Sequence, residues 1–241
     1  MAYGPRRCRR DWGVCGAASV TPAQLAQILD HTQLRAYATQ IDISELCDEA
    51  RQFGFVAVTV NPAWTSYCAK RLAGSGVGID TVVGFPLGAN TARTKVDEAR
   101  EAVRCGATEI DAVINIGALK SGFPEYVERE IAAVVRAVKG TPVKVILETG
   151  YLTNDEKVAV CRMCMRSGAA YVKTSTGYGT AGATVEDVAL LRNVVGNELG
   201  VKAAGGIRTY GDVMAMVEAG ATRVGTSAAV AIVESLLSKT P

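Results

Sequence analysis

A chain of 241 residues, 49% hydrophobic and 21% charged, can bury one large core and needs no division into several domains. Its 26 basic and 24 acidic residues leave a net charge of only +2, which excludes a surface-wide basic field able to hold nucleic acid by neutralising phosphates. No stretch approaches ~18 apolar residues, so no membrane-spanning helix is expected, and residues 1–20 lack the apolar core and cleavage site of a secretory signal.

Residues 1–20 read as a solvated, mobile tail whose one charged feature is the run Arg6, Arg7, Arg9 and Arg10. From residue 21 to 241, short apolar runs rich in β-branched residues alternate with longer segments of helical period. The strand candidates are 28–32, 55–60, 79–85, 109–116, 143–148, 171–174, 200–204 and 223–225. Between them, 41–53, 91–105, 126–139, 155–167, 185–198 and 210–219 are polar on one face and apolar on the other, as helices packed on a sheet are. Several end at a glycine, namely Gly54, Gly106, Gly140, Gly168 and Gly220, as helix C-termini commonly do. Strand–helix units in this number, with both sheet faces covered, predict the α/β class and a single (β/α)8 TIM barrel rather than an open doubly wound sheet. The first strand-to-helix turn, Asp30-His31-Thr32-Gln33-Leu34, contains no glycine, which disfavours a dinucleotide-binding half.

The cysteines Cys8, Cys15, Cys47, Cys68, Cys105, Cys161 and Cys164 are odd in number, scattered, and without the paired clusters of a zinc site. A reduced, cytoplasmic protein is therefore expected. Cys161-Arg162-Met163-Cys164 has redox-motif spacing but sits mid-helix, where packing is the expected role. His31, the sole histidine, cannot anchor a His-based metal site and is expected to make a structural hydrogen bond, leaving Asp30 and Thr32 to line the barrel mouth.

Barrel strands are buried on both sides, so an ionisable residue inside one is costly unless it is paired or used. Asp111, Lys144, Lys173 and Lys202 occupy such positions. If Asp111, Lys173 and Lys202 point inward, two lysines and one carboxylate share a cavity of low dielectric. A desolvated lysine beside a second ammonium has its charged form disfavoured, and the free amine attacks aldehydes to give an imine. Lys144 has two readings at this point: pairing with Glu148 or Asp111, or a direct part in proton transfer.

Late in the chain, Gly205-Gly206-Ile207-Arg208-Thr209 and Gly225-Thr226-Ser227 follow the seventh and eighth strands, where barrels often hold a phosphate. Glycine lets backbone N–H groups approach an anion closely, and Gly177 and Gly179 could close a third side.

Taken together, Asp30-His31-Thr32, Val83-Gly84-Phe85-Pro86-Leu87-Gly88, Glu109-Ile110-Asp111-Ala112-Val113-Ile114-Asn115, Lys144-Val145-Ile146-Leu147-Glu148, Val172-Lys173-Thr174-Ser175-Thr176-Gly177 and Lys202-Ala203-Ala204-Gly205-Gly206-Ile207-Arg208 resemble the deoxyribose-phosphate aldolase family over about residues 24 to 237. The resemblance implies reversible cleavage of 2-deoxyribose 5-phosphate, a phosphosugar, to glyceraldehyde 3-phosphate and acetaldehyde without metal or organic cofactor. It implies Lys173 as the Schiff-base lysine, Lys202 as the lysine that lowers its pKa and relays protons, and Asp111 as an acid/base partner acting through water. It further implies phosphate contacts from Gly177, Gly205, Gly206, Gly225 and Ser227, with Asp30, Thr32 and Lys144 in support. The chain departs from many relatives in having Ala228 for a second serine and Thr59 for a cysteine. Two rival readings are a non-catalytic phosphosugar-binding barrel and another imine-forming lyase or transaldolase. An outward apolar helix face is compatible with a homodimer or higher homo-oligomer as well as with bare barrel surface.

Overall fold

The computed structural model of the protein describes residues 20–238, so the stretch read as a tail lies outside the described residues except for Val20. Eight strands, β1 (Leu29–Gln33), β2 (Ala57–Val60), β3 (Gly78–Val83), β4 (Glu109–Val113), β5 (Val143–Ile146), β6 (Tyr171–Lys173), β7 (Gly200–Ala204) and β8 (Arg223–Thr226), pair in sequence order and close into a barrel. Every pairing is parallel, including the closing one between β1 and β8. The chain therefore folds as the (β/α)8 TIM barrel its alternating pattern predicts.

The six expected helices are present as α2 (Gln40–Phe53), α4 (Ala92–Arg104), α6 (Pro124–Ala137), α7 (Asn154–Ser167), α8 (Val185–Val195) and α9 (Tyr210–Glu218). Four more were not foreseen: α1 (Pro22–Ala26), α3 (Thr65–Arg71), α5 (Ile116–Lys120) and α10 (Ala229–Leu237). Three of these are too short to display a period, and α10 has only Glu234 and Ser235 to mark a polar face. Threonines start the helices from outside. Thr39, Thr153 and Thr209 each accept from the third helical N–H, and Asp42, Glu156 and Asp212 return a bond to the threonine backbone. Gly54 and Gly168 stop α2 and α7 in the left-handed conformation, at φ 67° and 76°.

Strand ends are shorter than the apolar runs. β3 stops at Val83 because Gly84 turns to φ 62°, and β4 stops at Val113 because Asn115 caps α5 by accepting from the Ala118 N–H. Outward-facing Val58, Ile110, Val145, Val172, Val201 and Val224 are fully or almost fully buried against the helix layer. Cys161 and Cys164 lie in that layer on α7, and burial pushes the Cys161 thiol up to about 12. Such thiols are packing groups, as expected from their position mid-helix.

One ion pair sits between helices and barrel wall. Lys95 Nζ, on α4, donates to Glu130 Oε2 of α6 and to the Val113 carbonyl, both at 2.8 Å, with both side chains buried. Glu130 Oε2 also accepts from the Asn115 N–H at 3.1 Å, so the pair fixes the end of β4. Removing one member of a buried pair strands the other charge. Glu130→Ala is expected to cost ~3–5 kcal/mol in urea unfolding, whereas Asp97→Ala, in an exposed pair with Arg100, should leave the midpoint in place.

Candidate active site

Strand alternation decides which side chains enter the barrel. Laterally paired residues share a face, so the pairs Asp111↔Lys144 and Lys173↔Lys202 send all four inward. Asp30, Asp80, Glu109 and Arg223 are on the same face. The interior of an ordinary TIM barrel is filled by branched apolar residues; here four acids and four bases occupy it.

These groups form one network. Asp111 Oδ2 accepts from Lys173 Nζ at 2.6 Å and from Lys202 Nζ at 2.7 Å, while its Oδ1 accepts from Lys144 Nζ at 3.0 Å. Lys202 Nζ also lies 2.6 Å from Asp30 Oδ2 and 2.8 Å from Asp80 Oδ2. Lys144 Nζ lies 2.6 Å from Glu109 Oε2, and Arg223 donates to Asp30 and Glu109 at 2.8 and 3.1 Å. Lys144 is thus committed to Asp111, Glu109 and Asp80, not to Glu148. Asp30 is fully buried in the network, so the expectation that it lines the mouth is corrected. Thr32, two residues on, is partly exposed and donates to the Asp30 carbonyl. His31 faces outward, with Nε2 2.6 Å from Glu49 Oε2 on α2. Thr59 faces inward and donates to Asp80 at 3.0 Å.

Above the network, the loops after β6, β7 and β8 meet. Gly177 and Gly205 take φ 87° and 92°, and a Cβ on Gly205 would lie 3.0 Å from the Gly182 Cα and 3.5 Å from the Gly177 Cα. Ala183 N–H donates to the Gly205 carbonyl, and Thr226 Oγ1 donates to the Ile207 carbonyl at 2.7 Å. Gly206 and Ser227 are exposed at this edge. Gly225 is the penultimate residue of β8, where an added Cβ would come 3.2 Å from Lys202 Cε, so the glycine leaves room for that lysine.

The chain matches the DeoC/LacD family aldolases over residues 24–232. It is 55% identical over 215 residues to a deoxyribose-phosphate aldolase of Aciduliprofundum boonei, covering 88% of this chain and 97% of that one. It is 56% identical over 214 residues to the aldolase of the same name from Thermococcus gammatolerans, covering 87% and 95%. The chain belongs to the DeoC/LacD aldolase family. Among solved structures, the tetrameric deoxyribose phosphate aldolase from Aeropyrum pernix is similar with a TM-score of 0.85 and 37% identity, over 90% of this chain and 93% of that one. As a member of this family the chain is an enzyme, a carbon–carbon lyase.

Asp80, Glu109 and Arg223 are members of this aldolase's network that the sequence reading passed over, although each is a charged residue inside a strand and the test that found Asp111 finds them too. Lys95 and Glu130 gave no such signal, because charged residues on amphipathic helices ordinarily face water. Among the described residues no group of three or more His, Cys, Asp or Glu side chains is placed to hold a metal ion, and no helix is long and apolar enough to cross a membrane.

The network sorts its own protons. Burial lowers the pKa of Lys173; Asp111 opposes this and the Lys202 ammonium adds to it, leaving the amine below its ordinary value. Burial acts on Lys144 and Lys202 in the same sense, but the surrounding carboxylates outweigh it and raise both. Burial and then the Asp111 charge raise Asp80, whereas Asp111 itself is held well below the usual carboxylate range because Lys144, Lys173 and Lys202 overcome its desolvation. The two groups driven toward neutrality are one acid and one base. Between the lowered value of Lys173 and the ordinary 10.5, the unfolded chain carries a proton the folded chain lacks, so this lysine's contribution makes stability rise with pH across that window. In NMR titration of labelled lysines, Lys173 is expected to deprotonate below 10.5 while Lys144 and Lys202 remain charged. A Lys173 that is still an ammonium at that pH would contradict the assignment.

Proposed function

We propose that this aldolase reversibly cleaves 2-deoxy-D-ribose 5-phosphate to D-glyceraldehyde 3-phosphate and acetaldehyde through a Schiff base on Lys173. The observation that carries the reading is the shared oxygen of Asp111, with the amine of Lys173 at 2.6 Å and that of Lys202 at 2.7 Å. Lys173 is the lysine of the three driven toward the free amine, which is the form that adds to a carbonyl. The names of the relatives support the substrate.

In the cleavage direction the Lys173 nitrogen adds to C1 of the open-chain aldehyde, and loss of water gives a cationic imine. Asp111 stands beside the nitrogen that carries this charge and stabilises it. Lys202, on the same oxygen, is placed to supply the proton that the departing hydroxyl needs. Removal of the 3-hydroxyl proton through water, with Asp111 as acid/base partner, breaks C2–C3. Its electrons pass to the imine, glyceraldehyde 3-phosphate leaves, and the remaining enamine is protonated and hydrolysed to acetaldehyde. Lys144, held charged by its carboxylates, supports Asp111 through its other oxygen, Oδ1. Backbone groups of Gly177, Gly205 and Gly206 with Ser227 are proposed to hold the phosphate, and Thr32 to border the sugar. Resident metal or cofactor is not required by this chemistry. We place the enzyme in the cytoplasm, a reading supported by its free cysteines Cys47, Cys68, Cys105, Cys161 and Cys164, and assign it to deoxyribonucleotide catabolism as a homo-oligomer, by likeness to the tetrameric relative. Residues 21–241 are taken as one catalytic domain.

Incubation with acetaldehyde and borohydride should add a two-carbon adduct at Lys173, read by peptide mass, with turnover unaffected by chelator. Lys173→Leu is expected to abolish turnover. Lys202→Leu should slow it and move the rise in rate to higher pH, because Lys173 loses the neighbouring ammonium that lowers its pKa; an unmodified Lys173 or an unmoved profile would refute these roles.

A further inference from the structure

Glu148 is the one residue other than glycine at positive φ among the described residues, with φ 57° and ψ 64°. Left-handed backbone is costly for a residue with a Cβ and persists only where its surroundings hold it there. Its side chain is also expensive to place. The carboxylate is buried, Glu148 Oε1 has no hydrogen-bond partner, and an added Cβ on Gly179 would run into it at 2.8 Å from Cδ.

What holds it is the loop after β6. Glu148 Oε2 accepts from the Thr176 N–H at 3.2 Å and from the Thr176 hydroxyl. The same hydroxyl oxygen accepts from the Tyr178 N–H at 3.0 Å, and Tyr178 Oη donates to the Leu34 carbonyl across the mouth at 2.7 Å. The N–H groups on either side of Gly177 are therefore committed to the Glu148 side of the loop. The Gly177 N–H donates no bond among the described residues, and this glycine stands beside Gly205 on the edge where the late loops meet.

We propose that Glu148 is a positioning residue for the anion site: by holding Thr176 and, through it, Tyr178, it turns the Gly177 amide toward the phosphate of the substrate. This rests on the phosphosugar reading above. The Glu148 carboxylate bonds to Thr176 and makes no hydrogen bond or ion pair with Lys173, so its loss is expected to be felt where the phosphate is felt.

The test compares Glu148→Ala, Thr176→Val and Glu148→Gln with the wild-type enzyme. Glu148→Ala is expected to raise KM for 2-deoxyribose 5-phosphate about tenfold or more, as when a bond to a charged group is misplaced. It should change kcat/KM for unphosphorylated 2-deoxyribose less than about twofold, on the same free-energy scale. Thr176→Val keeps the loop's volume and should move the same parameter in the same direction, which keeps the test alive if Glu148→Ala does not fold. Glu148→Gln retains an oxygen for Thr176 and should restore most of the affinity. Equal losses on both substrates, or an unmoved KM, would overturn the proposal. Calorimetry with inorganic phosphate asks the question without turnover, and weaker binding by Glu148→Ala is expected. Wild-type protein that binds no phosphate would also overturn it. Failure of the wild type to trap acetaldehyde at Lys173, with phosphate binding intact, would instead count against the aldolase reading.

Discussion

The arrangement depends on a balance of charge in a space where charge is expensive. Four carboxyls and four cationic side chains fill the inside of the barrel, where desolvation penalises every one of them. They persist because each carboxylate faces more than one cation, and Lys144, Lys202 and Arg223 each face more than one carboxylate. Networks of this kind are costly when incomplete. Within it Lys173 is distinguished by position. It is the last residue of β6 and reaches the carboxylates through Asp111 alone, while Lys144 and Lys202 meet three or more.

That difference connects packing to chemistry. A single ion pair does not offset burial, so the amine at the end of β6 has its pKa lowered, whereas those of Lys144 and Lys202 are raised. Glycines make the geometry possible. Gly225 leaves room for the Lys202 stem, and Gly200 leaves room for the Tyr171 ring, against which any Cβ would fall 2.1 Å away. The Arg223 guanidinium lies 5.7 Å from that ring's centroid and joins β8 to the base of the network.

Most of the architecture was legible because the barrel repeats one simple pattern. Apolar β-branched runs, amphipathic helices and terminal glycines recur in order, and the closed sheet follows from their number. Lys173, Lys202 and Asp111 stood out for the same reason that Asp80 and Arg223 should have, namely ionisable groups in strands with no solvent on either face. Two kinds of feature stayed hidden. That Gly225 packs against the Lys202 stem depends on which strand lies beside β8, which the sequence does not print, and the role of Asp30 depended on depth along the strand, which alternation does not give. Glu148 reads as the end of a strand; its left-handed turn and its hold on Thr176 come from contacts between loops 28 residues apart in sequence.

Tyr178 ties three loops together at the mouth. Its hydroxyl reaches the Leu34 carbonyl after β1, and its ring meets Phe85 after β3 edge-on at 5.5 Å. A change that loosens any one of the loops after β1, β3 and β6 therefore takes a partner from this single side chain and is felt by the other two.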